Sequence, residues 1–234
     1  WDSEGEWFVA EGDESDGTLI NYHPEHAIVL NIEPEHLDFY KDLAAIDAVY
    51  KRLINQTSGK VFYCADDDGA RRVCASHPHA ISYGLGPEAR YRITNLSTEN
   101  FKSRFNVSHD GKTLGEVVLN IPGAHNAVNA LATIALASEI GQPFESIAKA
   151  LSSFRGAKRR FEIIHETERQ TIVDDYGHHP TEIAATLATA RTGGHGRVIA
   201  MFQPHRYTRT QALKNLFGMA FQKADHVFVS DIYP

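Results

Sequence analysis

Two histidine-bearing segments carry residue types suited to moving protons and holding anions. The first reads Asp174-Asp175-Tyr176-Gly177-His178-His179-Pro180-Thr181-Glu182. The second reads Phe202-Gln203-Pro204-His205-Arg206-Tyr207-Thr208-Arg209-Thr210. Each follows a short apolar run, Thr171-Ile172-Val173 and Val198-Ile199-Ala200-Met201, and each precedes a stretch with helical character. In an open parallel sheet ligands bind beyond the carboxyl ends of the strands. Placed on such strands, both segments would face one crevice. His178, His179 and His205 would be its candidate proton carriers, and Arg206 and Arg209 its anion holders. Tandem exposed histidines beside an aspartate pair are hard to explain as packing.

Other clusters are more ambiguous. Glu11, Asp13, Glu14 and Asp16 crowd one acidic stretch after an apolar run. Carboxylates at a strand end suit magnesium, and they equally make a solvated turn. His36, after Asn31-Ile32-Glu33-Pro34-Glu35, reads as a metal ligand or a loop histidine. Asn126 and Asn129 are three apart and share a helix face. Their amides suit a purine edge or simple helix capping. Arg155, Lys158, Arg159 and Arg160 form a basic run that is either solvated or set to grip phosphates, as guanidinium forks do.

The elements that must position these groups are readable from pattern. Trp7 to Glu11 and Ala27 to Ile32 read as strands. Leu43 to Gln56 has helical apolar spacing, and Val61 to Cys64 is the next strand. Asp66-Asp67-Asp68-Gly69 reads as a turn. A β-rich stretch follows over Ala80–Tyr83, Tyr91–Leu96, Phe101–Ser108 and Leu114–Ile121, with a hairpin turn at His109-Asp110-Gly111-Lys112. Helices are expected from about His125 to Ile140 and over Phe144–Ser153. The pattern then restarts as strand, loop, helix, strand, loop, helix, strand, ending at His226–Ser230. The expectation is an α/β protein of two domains, 1–157 and 158–234.

Composition sets the outer bounds. The 234 residues are 42% hydrophobic and 23% charged, an ordinary globular balance. A net charge of -7 gives no global attraction to nucleic acid or acidic lipid. No apolar run approaches the ~20 residues of a membrane span, and no secretory signal is read at the start. Cys64 and Cys74 suit a reducing cytoplasm better than a disulfide scaffold. Apolar runs close to both ends suggest the middle of a longer protein.

Taken in order, these motifs resemble the Mur ligases, the ATP-dependent amide-forming enzymes of peptidoglycan synthesis. The resemblance rests on Ala10-Glu11-Gly12-Asp13-Glu14-Ser15-Asp16, Asn31 to Asp38, Gly123-Ala124-His125-Asn126 with Asn129-Ala130, and Arg159-Arg160-Phe161 leading to Asp174 to Pro180. The Gln203 to Thr210 segment points to the branch that adds L-alanine to UDP-N-acetylmuramate. The resemblance implies part of a central ATP-binding domain followed by part of a Rossmann-like C-terminal domain. The UDP-sugar domain, the glycine-rich phosphate loop and the extreme C-terminus would lie outside this stretch, leaving it inactive alone.

Carried over residue by residue, Glu11 and His36 would hold magnesium. Asn126, Asn129, Arg160 and Asp175 would contact ATP. Tyr176, His178, His179, His205, Arg206 and Arg209 would hold the amino acid and the acyl end, with one histidine taking the amine proton. Lys51 is the residue to consider for the carbamylated lysine of some relatives, a feature that the alanine-adding branch generally lacks. Two rival readings are a ligase that recycles murein peptides and a non-catalytic nucleotide-binding relative.

Overall fold

The structure is a computed structural model that describes residues 5–36, 39–99, 101–194 and 196–234. Leu37 and Asp38, the end of the Asn31 to Asp38 motif, lie outside the described residues.

A six-stranded sheet fills the first part, in the spatial order β1 (Ala27–Val29), β2 (Val61–Cys64), β3 (Ala80–Gly84), β4 (Tyr91–Glu99), β5 (Lys102–His109), β6 (Lys112–Leu119). The first four strands run parallel and the last two turn back antiparallel. Helices α1 (Leu43–Gln56) and α2 (Asp68–Cys74) join the parallel strands. Helices α3 (Ala124–Glu139) and α4 (Phe144–Ser153) follow the sheet. Successive side chains on a strand point to opposite faces, and β2 shows the consequence. Phe62 and Cys64 pack with Tyr83, Phe105, Leu119, Leu131 and Ile134, on the α3 side. Val61 packs with Val29, Ile46, Ile54 and Val73, on the α1 and α2 side. Alanines 127, 130, 132 and 135 let α3 lie close to the sheet.

The second part is smaller. β7 (Glu162–Glu166) pairs antiparallel with β8 (Thr171–Asp174), and β9 (Ile199–Phe202) pairs parallel with β10 (His226–Val229). Helices α5 (Pro180–Arg191) and α6 (Tyr207–Ala220) pack on each other and on Phe202 through Ile183, Leu187 and Ala220.

Most expected elements are present, and three expectations are corrected. Trp7 to Glu11 forms no strand: no ladder among the described residues includes it, and Val9 is 89% exposed. Apolar side chains without a paired backbone do not make a strand. The Asp66 to Gly69 segment starts helix α2 rather than forming only a turn. Asp67 accepts the Ala70 N–H as an N-cap, and the residue types that favour turns are those that favour caps. Finally, among the described residues β8 does not pair with β9. It closes a hairpin with β7, which the pattern had not shown, and a link as short as Thr167–Gln170 permits only antiparallel pairing. The Thr167 N–H donates to the Gln170 carbonyl at 2.8 Å across that link.

Between the two parts the backbone turns sharply. Gly156, Arg159 and Phe161 all have positive φ, at 88°, 57° and 49°. A bulky residue held there is strained unless its surroundings enforce it. The Phe161 N–H donates to Asp175 Oδ2 at 2.8 Å, and the Tyr176 N–H donates to the Arg159 carbonyl at 2.8 Å. Those bonds fix the connector to the segment that follows β8.

Candidate functional site

The site is organised by the loop after β1. The Ile32 N–H donates to Asp67 Oδ1 at 3.1 Å, and the Ile32 side chain is buried. The cap of α2 therefore also anchors this loop. Gly69 allows the approach, since a Cβ there would collide with the Ile32 carbonyl. Beyond Ile32 the loop presents Glu33, Glu35 and His36. His36 has φ +52°, and its carbonyl accepts from both Phe39 N and Tyr40 N at 2.8 Å. Tyr40 also donates from its hydroxyl to the Glu14 carbonyl, which ties the acidic stretch to the same place.

Glu14, Glu35 and His36 each offer one ligand atom, and these atoms all lie within 4.8 Å of one another. His36 Nε2 stands 3.3 Å from Glu14 Oε1 and 3.9 Å from Glu35 Oε1. Two carboxylates with an imidazole fit a divalent cation that keeps open positions. Glu11, the expected acidic ligand, is exposed and stands outside this group. Lys51 is exposed on α1.

The second part meets the loop through the starts of its two helices. At α5, Glu182 accepts the N–H groups of His178 and His179 at 2.9 and 3.0 Å, its half of a capping box. Burial opposes ionisation of Glu182, yet those N–H groups hold its carboxyl below the usual range. His179 is buried at 8% exposure, so the tandem histidines are not both exposed as expected. His179 is the N-cap of α5 and faces Glu33 at 3.3 Å, while the Thr181 hydroxyl donates to Glu33 at 3.1 Å. His178 Nε2 lies 3.6 Å from Glu35 Oε1. At α6, Arg209 donates to the same oxygen at 3.1 Å. Glu35 is thereby held to a pKa of about 2, by His178 first, with His36 and Arg209 adding, against the cost of burial. His178 is pushed upward by Glu35.

Between the loop and the first turn of α6 lies a cavity of about 230 Å³, lined by Glu35, His36, Arg206, Thr208, Arg209 and Leu213 among others. Beside it His205 stacks on Tyr233 at 5.5 Å. Desolvation, then Arg209 and Arg206, lower the His205 pKa. Tyr176 lies under the Arg159 guanidinium at 4.5 Å and edge-on to His178 at 5.3 Å.

The expected nucleotide residues are less gathered. Arg160 pairs with Glu182 at 3.2 Å, and Asp175 is engaged by the N–H groups of Phe161 and Gly177. Gly123 is the N-cap of α3, so neither Asn126 nor Asn129 caps it. Asn126 donates its amide to the Pro122 carbonyl at 2.6 Å, and Asn129 is exposed one turn on. Arg155 and Lys158 line a second opening of about 450 Å³, together with Lys102, Asn120 and Phe161. Sequence reasoning missed the roles of Glu14, Glu33, Glu35 and Glu182. For Glu182 a signal existed: it stands three residues after the cap, the spacing of a capping box.

Residues 2–137 match the Mur ligase middle domain, and residues 159–233 match the model described as Mur ligase, glutamate ligase domain. The UDP-N-acetylmuramate–L-alanine ligase of Geotalea daltonii is 43% identical over 99% of this chain and 51% of its own length. That of Myxococcus xanthus is 42% identical over 97% of the chain and 49% of its own. Among solved structures, the UDP-N-acetylmuramate-alanine ligase from Thermotoga maritima superposes with a TM-score of 0.80 at 30% identity, over 94% of this chain and 49% of that one. MurF from Acinetobacter baumannii shares the fold at a TM-score of 0.74 and 22% identity, over 94% of this chain and 52% of that one. The chain thus spans about half the length of the curated relatives it matches. It belongs to the Mur ligase family.

Proposed function

We propose that this chain is the ATP-binding and amino-acid-binding half of a cytoplasmic ligase that joins L-alanine to UDP-N-acetylmuramate, with its domains at 1–157 and 158–234. The observation that carries this is the 42–43% identity, across nearly the whole chain, to relatives that bear that activity in their names. Among solved structures the alanine ligase is 30% identical, the murein peptide ligase 26%, and ligases for other steps such as MurF 22%. The separate sheets of the two parts and the sharp turn at 156–161 support the division.

An unactivated carboxylate does not acylate an amine in water at a useful rate. ATP would therefore phosphorylate the muramyl carboxylate, and the L-alanine amine would displace phosphate from the resulting acyl phosphate. Glu14, Glu35 and His36 would hold Mg²⁺, which when bound offsets the negative charge shared by phosphate and carboxylate oxygens. Arg206 and Arg209, at the N-terminal end of α6, suit the carboxylate of the amino acid, and the nearby cavity has room for it. Asn126, Asn129, Arg160 and Asp175 are assigned to ATP. Arg160 and Asp175 would then exchange their present protein partners for the nucleotide.

Of the three histidines, His205 is assigned the amine proton. Its depressed pKa keeps the imidazole neutral and able to accept. His178 is pushed toward its protonated form by Glu35, and His179 is buried as a helix cap. Tyr176 would wall the site next to His178. Phosphate release by the complete ligase carrying this chain tests the assignment, with ATP, Mg²⁺ and UDP-N-acetylmuramate, with and without L-alanine. Release that requires both the UDP-sugar and L-alanine is expected. Release only with a muropeptide in place of L-alanine would move the function to peptide recycling, and no release would return it to nucleotide binding.

A further inference from the structure

One carboxylate oxygen stands where two unlike groups of side chains meet. Glu35 Oε1 lies 3.1 Å from Arg209 and 3.6 Å from His178, both from the second part of the chain. It also lies 3.9 Å from His36 Nε2, and Glu14 completes the group that surrounds a common point on the other side. Arg209 keeps only 12% of its side chain exposed, and Glu35 28%. No described carboxylate other than Glu35 is paired with Arg209. The cavity at the start of α6 opens directly against this pair, with Glu35 and Arg209 both in its wall.

We propose that Glu35 is a positioning residue that stands in for an anionic ligand. Its carboxylate neutralises Arg209 and lies beside His178 while the small-anion seat is unfilled. An incoming carboxylate or phosphate takes over Arg209 and frees Glu35 toward His36 and Glu14. This rests on the proposed function only for the identity of the natural anion. A guanidinium left without a counter-charge in a half-buried pocket is costly, and an internal carboxylate removes that cost. The same carboxylate competes with any anion for Arg209. Filling the anion seat therefore strengthens the cation seat, because a released Glu35 is a third ligand for it. The two ligands are coupled through one side chain, and each strengthens the other by the same factor.

The test is binding rather than turnover. Inorganic phosphate is titrated by calorimetry, and Mn²⁺ by its free electron-spin signal, on the full chain with Glu35→Gln and Glu35→Asp. Glu35→Gln keeps the shape and removes the competing charge. Phosphate affinity is expected to rise by roughly fivefold, and Mn²⁺ affinity to fall by roughly tenfold, as removal of one close charge gives. Glu35→Asp keeps the charge and shortens its reach, so an intermediate gain in phosphate affinity is expected. In the wild-type chain, phosphate should tighten Mn²⁺, and Glu35→Gln should abolish that coupling. A merely structural Glu35 would loosen both ligands together in Glu35→Gln. That result, or phosphate affinity unchanged in both variants, overturns the proposal. Alanine-dependent phosphate release is read separately, so failure of the ligase assignment leaves these binding outcomes intact.

Discussion

The two parts of the chain are stabilised in different ways. In the six-stranded part, Phe62, Tyr83, Phe105, Val107 and Leu119 are essentially sealed from solvent on the α3 side of the sheet, and Val61 and Val73 on the side of α1 and α2. In the second part the buried group is small, and Met201 and Phe228 are 85% and 59% exposed on β9 and β10. The parts meet largely through charge, with Glu33 and Glu35 set against the starts of α5 and α6. Apolar burial is non-directional and fixes a scaffold. Charged hydrogen bonds are directional and exchangeable with a ligand's own charge. A rigid platform and a partner held by exchangeable bonds suit a site that must admit charged substrates.

The sharpest way to break the comparison is at the cores. Phe105→Ala should cost about 3–5 kcal/mol, because it removes a sealed aromatic ring and leaves a cavity. Met201→Ala should stay within about 0.5 kcal/mol. Denaturant unfolding of both variants checks this, and equal effects would erase the distinction between the two parts.

A second prediction concerns how the platform carries the loop. Gly69→Ala places a methyl group against the Ile32 carbonyl, and backbone cannot rotate away as a side chain tip does. Overpacking of this kind costs about 1–3 kcal/mol. Amide exchange at Ile32 should rise more than at β5 or β6. Uniform change along the chain would show that α2 does not anchor the loop.

These contrasts also mark what was legible beforehand. Helix α1 and strand β2 were readable to the residue because their apolar spacing is regular and their ends carry turn residues. Trp7 to Glu11 misled because composition does not say whether a backbone finds a ladder. β7 escaped because its residues alternate poorly and its pairing depends on a turn at Thr167–Gln170. The site was legible as motifs and not as geometry. His36, His178 and Arg209 were singled out, yet the residue that joins them, Glu35, lies in a motif of two glutamates around a proline. Nothing in such a run tells which carboxylate faces a partner 174 positions on. Contacts of that separation come from tertiary packing.

A smaller, pH-dependent effect sharpens the platform's own electrostatics. Asp47 is buried on α1 and accepts two bonds at 2.8 Å from Arg72 on α2, which hold its carboxyl below the usual value of 3.8. A depressed carboxylate adds stability above its unfolded pKa and loses it as pH falls through the folded value. Asp47→Asn should therefore lower stability by about 1 kcal/mol at pH 7, and the gap to wild type should close below pH 3.8. Urea unfolding across that range reads the gap, and a constant difference would remove the ion pair as its cause.

The central claim is that one site is assembled from both parts of the chain and meets at Glu35. Mn²⁺ affinity in Arg209→Ala tests it most directly. Arg209 lies on α6, whereas the surrounding ligand group of Glu14, Glu35 and His36 lies in the first part. If the two share Glu35, removing the guanidinium frees the carboxylate, and Mn²⁺ should bind roughly fivefold more tightly. Affinity equal to wild type would contradict a shared site.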